Sequence, residues 1–119
     1  MTRTIMIGGE AVTFSAMAVV DKCYWDVFHV DPVALQTKAM NEAESIDFVE
    51  RMGFIMAKYA ELKSYKDMKV LTEDDFGEWL SRFSRLDLYN ALPEIQSVYN
   101  GQQESVSEAK KKDVEQSAE

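Results

Sequence analysis

The chain has 119 residues, a length that fits one domain and leaves little room for a second hydrophobic core. Its 21 acidic residues outnumber the 13 basic ones and give a net charge of −8. This charge disfavours nucleic-acid binding, because neutralising phosphates requires a basic face. No apolar run is long enough to span a bilayer, and the single cysteine cannot form an internal disulfide. Composition therefore predicts one cytoplasmic domain that binds neither nucleic acid nor membrane.

The N-terminal segment predicts a β-hairpin. Two short runs rich in β-branched residues, 4–7 and 11–14, flank Gly8 and Gly9, and glycine readily adopts the positive φ angles of a tight hairpin turn. An isolated hairpin is only marginally stable in water, so we expect it to pack on helices or to pair with another chain. Its open edges also predict self-association into dimers or larger assemblies.

Apolar residues at helical spacing predict helices in the first half of the chain. The first covers residues 18–28. A second, weaker helix is expected from Pro32 to about residue 40, because Asp31 is a favourable N-cap and proline suits the first helical position. The clearest amphipathic pattern runs over residues 45–59, with acidic residues in its first turns.

The second half of the chain predicts a loop followed by two further helical stretches. Residues 61–71 have few apolar anchors and are typical of a mobile surface loop. Thr72 is placed to cap the next helix. A further apolar stripe covers residues 86–99, where Pro93 predicts either a kink or a new helix that begins close to it.

These elements predict a mainly α fold in which a short N-terminal β-hairpin is followed by four or five short helices. The packed domain is expected over residues 1–100. Residues 101–119 are polar and carry too few apolar groups to offset the entropy of ordering them, so they predict a disordered C-terminal tail.

Candidate catalytic and metal-binding groups are sparse. Cys23 and His29 are six residues apart, about 240° apart around a helix, so a small hydrolase that uses them as nucleophile and base is a remote alternative. The more economical interpretation is a buried cysteine and a histidine at a helix end. Glu73, Asp74 and Asp75 lack the alternating ligands and central glycine of a calcium loop, and acidic residues favour a helix start in any case.

A surplus of large apolar side chains near the C-terminal end of the domain predicts a partner-binding surface. These side chains occupy more than one helical face and cannot all point into one small core. Aromatic residues of this kind are also common at protein interfaces. The predicted partner-binding residues are Trp79, Phe83, Tyr89, Leu92 and Tyr99.

Several segments, taken in order, resemble one protein family. They are the hairpin of residues 4–14, the Gly-Phe-Ile-Met-Ala-Lys run at 53–58, the stretch 75–83, the Leu-Tyr-Asn-Ala-Leu-Pro-Glu-Ile run at 88–95, and the lysines at 110–112. Each segment is weak alone, but their order resembles the tail assembly chaperones of long-tailed bacteriophages and prophages of Gram-positive hosts.

The resemblance implies a non-enzymatic assembly factor that needs no cofactor. Such a factor binds the tape measure protein in the host cytoplasm and keeps it soluble while tail tube subunits polymerise around it, which makes the tail tube protein a second candidate partner. It is absent from the finished virion. The lysine run would suit a ribosomal frameshift site, which this family commonly uses. The alternative is a minor structural tail protein, such as a tail completion or connector component.

Overall fold

The computed structural model describes residues 1–101, which form two strands and six helices. A mainly α fold opened by a β-hairpin is therefore confirmed. The predicted disordered tail lies, from residue 102 onward, outside the described residues. The elements are β1 (Thr2–Ile7), β2 (Glu10–Ser15), α1 (Val19–Phe28), α2 (Pro32–Gln36), α3 (Glu42–Leu62), α4 (Tyr65–Met68), α5 (Glu73–Leu80) and α6 (Arg85–Tyr99).

The hairpin is antiparallel and turns at Gly8 and Gly9, as predicted. Gly8 has a φ of 63°, and a Cβ added there would lie 2.5 Å from an Asp87 carboxylate oxygen, so both conformation and space favour glycine. One face of the hairpin packs on α3 and α6, while the other faces solvent. The apolar side chains of the packed face are all buried: Ile5, Ile7, Val12 and Phe14.

The longest helix, α3, forms the centre of the domain. It begins at Glu42 rather than Ser45, because Asn41 and Glu44 form a reciprocal capping box that adds almost a turn. Its side chains meet β2, α1, α5 and α6, so most of its circumference is covered. The fully buried members are Phe54, Ile55 and Met56, with Phe48 and Met52 almost as deeply enclosed.

Two further predictions about the elements are wrong. The second helix ends at Gln36 instead of near residue 40, although its predicted Asp31 cap is present and accepts a 2.9 Å hydrogen bond from the Val33 amide. The segment predicted as a mobile loop, residues 61–71, contains α4, because Ser64 caps a short turn and Met68 is buried in the core.

Residues Arg85–Tyr99 form one helix that continues across Pro93. Proline cannot donate a hydrogen bond to the carbonyl of Tyr89. Both residues are exposed, so water can solvate that carbonyl. Burial of Leu92, Ile95 and Val98 holds the helix against the core on both sides of the proline.

The closest approach of α3 and α6 generates a prediction. A Cβ built on Gly53 would lie 3.1 Å from Cγ2 of Ile95, whereas a Cβ on Gly77 in α5 meets nothing within 4 Å. Gly53→Val should therefore lower the free energy of unfolding by about 1–3 kcal/mol, because the added methyls overpack the helix contact. Urea denaturation of each variant measures the change in the free energy of unfolding. The matched Gly77→Val change should stay within about 0.5 kcal/mol of the parent; equal losses in both variants would contradict this packing.

Candidate functional site

The structure places Trp79 and Phe83 at the core rather than on a shared free surface. Trp79 is only 2% exposed, and its ring packs against Phe14 and Phe54 with centroid distances of 6.5 and 6.0 Å. Phe83 is half-buried, and its ring lies 5.1 Å from that of Trp79. Trp79 is therefore mainly a core residue and offers a partner very little of its side chain.

Tyr99 fastens the end of α6 to the rest of the domain. Its hydroxyl donates a 2.6 Å hydrogen bond to the Asp21 carboxylate and accepts a 3.1 Å hydrogen bond from the Gln36 amide. Burial, followed by the hydrogen bond to Asp21, raises the pKa of Tyr99 above its ordinary value. Its ring packs edge-on against Phe48. These contacts assign Tyr99 a structural role in joining α6 to α1, α2 and α3.

Tyr89 and Leu92 lie together on the side of α6 that borders α3. Tyr89 is 51% exposed, whereas Leu92 is buried at 7%. Both line two adjoining depressions, of about 640 and 270 Å³, between α6 and the first half of α3. We call this feature the α3/α6 groove; its apolar lining is Ile46, Val49, Leu86, Tyr89, Leu92 and Pro93.

Charged residues border the α3/α6 groove. Glu42 and Glu50 stand on the α3 side, and Arg85 stands at the start of α6. Burial, and then repulsion from Asp47, raise the pKa of the Glu50 carboxyl above its usual value. The groove is thus an apolar strip with a mainly acidic border, a combination typical of binding surfaces with a hydrophobic centre and a polar rim.

The predicted partner-binding residues include two apolar members of this groove, Tyr89 and Leu92, whereas Ile46, Val49, Leu86 and Pro93 were missed. Ile46 belongs to the amphipathic stripe of α3, yet it lies where α6 leaves it partly uncovered. Leu86 is 66% exposed. The spacing of Leu86 and Leu88 could have indicated an exposed leucine, because two residues that are two positions apart cannot share one helical face.

The residues considered for catalysis are far from a catalytic arrangement. Cys23 is buried at 1% exposure, and burial, with repulsion from Asp26, raises the pKa of its thiol to about 11. His29 is an exposed C-cap residue in the left-handed conformation. A protonated thiol is a poor nucleophile, so the geometry gives the hydrolase alternative no support.

The acidic residues at the start of α5 have a structural explanation. Asp75 and Thr72 form a capping box, and Glu73 and Asp74 lie in the first turn, where the helix dipole favours negative charge. Within residues 1–101, no group of three or more potential ligands is arranged to hold a metal ion. In the same range, every helix is too short or too polar to cross a bilayer.

Comparisons with known proteins add no assignment. No family model, curated protein or solved structure matches this chain. The resemblance to tail assembly chaperones therefore stays a prediction from the sequence.

The different roles of the two tyrosines can be tested by removing their hydroxyls. Tyr99→Phe should lower the free energy of unfolding by about 1–2 kcal/mol, because Asp21 and Gln36 both lose a partner at a partly buried position. The matched Tyr89→Phe change should stay within about 0.5 kcal/mol, since that residue is exposed. Denaturant unfolding of both variants provides the measurement. An unaffected Tyr99→Phe would contradict the structural role.

Proposed function

We propose that this protein is a phage tail assembly chaperone that binds the tape measure protein and keeps it soluble during tail tube assembly. The observation that supports the proposal most is the α3/α6 groove, where Leu86 and Tyr89 remain exposed beside the buried Leu92. Trp25 and several aliphatic side chains are also exposed, but Leu86 and Tyr89 border a groove with an apolar lining, and contiguous apolar surface of this kind marks interaction sites.

The shape of the groove favours a helical client segment. Contacts between Phe48 and Tyr99, and between Gly53 and Ile95, show that α3 and α6 run antiparallel, and the groove lies between these two helices. An amphipathic helix binds such a groove through apolar residues spaced at one face. The tape measure protein expected of this family offers many such helices.

The charge of the chain suits the same role. A net charge of −8 keeps a complex soluble when the apolar surface of the client is covered. The acids at the groove border, Glu42 and Glu50, would favour client helices that carry lysine or arginine beside their apolar face. Self-association and contact with the tail tube protein remain predictions.

The second candidate function is a minor structural tail protein. It would use the same exposed residues, Leu86 and Tyr89, for permanent contacts in the virion. Mass spectrometry of purified particles separates the two functions, because a chaperone is absent from the finished particle whereas a structural component is present.

The chaperone proposal predicts that folding and client binding can be separated at Tyr89. Tyr89→Asp should leave the melting temperature nearly unchanged, because the side chain is exposed. It should nevertheless abolish the solubility of a co-expressed tape measure protein, because an unpaired charge enters an apolar interface at a cost of several kcal/mol. The measurement is the soluble fraction of the client.

The matched control is Val70→Asp. Val70 is 77% exposed and does not line the groove, so a charge there should leave both folding and client solubility unchanged. Equal loss of client solubility in both variants would point to a general charge effect. Normal client solubility with Tyr89→Asp would remove the physical support for this surface.

A further inference from the structure

The outer edge of β2 carries main-chain groups that have no partner in the part of the chain that the structure describes. Residues Ile7 and Glu10 flank the turn, so Glu10 and every second residue after it direct their N–H and C=O groups towards β1. The Ala16 amide donates a 2.7 Å hydrogen bond to the Met1 carbonyl. Ala16 lies six residues after Glu10, so this bond follows the same alternation. The residues between them, Ala11, Thr13 and Ser15, therefore direct theirs outward. Within residues 1–101, no hydrogen bond reaches these outward groups.

These three residues border a groove of about 680 Å³, which we call the β2 groove. Its opposite wall comes from the second half of α3, where the small side chains of Ala57 and Ala60 leave space. Trp79 also lines it, and the indole N–H of this buried residue has no acceptor among the described residues. The space beside β2 thus combines a free strand edge with an apolar wall, as strand addition requires.

The charges at the β2 groove indicate what would occupy it. Lys63 lines this groove and makes no ion pair within residues 1–101. The other charged lining residues are already paired, Glu61 with Lys58 and Arg82 with Glu10. A carboxylate on the occupant would complement Lys63.

We propose that the β2 groove binds an extended, acidic peptide segment of a partner protein, which adds to the sheet as a third strand beside β2. A second copy of this chain, paired through its own β2 edge, is the occupant that the test below separates from this one. The β2 groove shares no lining residue with the α3/α6 groove, so this inference is independent of the proposed function.

The test uses a synthetic peptide of alternating threonine and valine residues with a glutamate at each end. Added to the 15N-labelled protein, it should shift and protect the amides of Ala11, Thr13 and Ser15. Thr13→Pro removes an outward N–H and should weaken binding about tenfold, the effect of one lost hydrogen bond. Thr4→Pro is the matched control, since it removes an outward N–H from β1 and breaks the same 2.8 Å Thr4–Thr13 hydroxyl contact; it should change binding less than about twofold.

Two control peptides complete the experiment. In the first, methylation of alternate backbone nitrogens should abolish binding, because it removes the donors that face β2. In the second, lysines replace the glutamates, which should weaken binding because Lys63 repels their positive charge. Equal binding of the methylated peptide, or unshifted amides on β2 at millimolar peptide, would overturn the proposal. A dimer that excludes the peptide and is lost with Thr13→Pro would assign the β2 groove to a second copy and overturn the choice of occupant.

Discussion

The packing of aromatic rings around Phe54 is the interaction on which the rest of the structure depends. This residue is completely buried in α3, and its ring lies 6.4 Å from Phe28 in α1 and 5.5 and 6.0 Å from Phe76 and Trp79 in α5. Tilted and edge-on pairs of this kind add about 0.5–1.5 kcal/mol each beyond the area they bury. Through Phe14, which packs against Trp79, the same cluster also holds the hairpin.

This arrangement determines which surfaces remain free. The aromatic cluster packs on one side of α3. Helix α6 covers another side, where Ile95 packs against Gly53. Among the described residues, no further element closes over the helix pair near the start of α3, and Tyr89 and Leu86 are exposed there. The hairpin is covered on one face by α3 and α6, whereas nothing within residues 1–101 pairs with the outer edge of β2. Both grooves follow from a small core whose elements cannot enclose every strand edge and helix face.

Signals that act within a few residues predicted most of the fold. The site was harder to predict, because it depends on contacts between residues that are far apart in the sequence. The glycine turn, the Asp31 and Thr72 caps and the α3 stripe each act within a few residues, so the sequence displays them directly. The burial of Met68, which orders the segment predicted as a loop, depends on distant contacts. The same limit applied to the predicted partner-binding residues, since periodicity shows that Trp79, Phe83, Tyr89, Leu92 and Tyr99 cannot all be inside, but only packing shows that Tyr89 is the most exposed.

Hydrogen exchange measured by mass spectrometry, on the protein alone and in complex with the co-expressed tape measure protein, would locate the client-binding surface. We expect slower exchange in the complex at residues 42–50 and 85–92, which form the two sides of the α3/α6 groove. Exchange in α1 should be unchanged, because that helix does not line the groove. Protection confined to other segments, with these two unchanged, would contradict the claim that the client binds between α3 and α6.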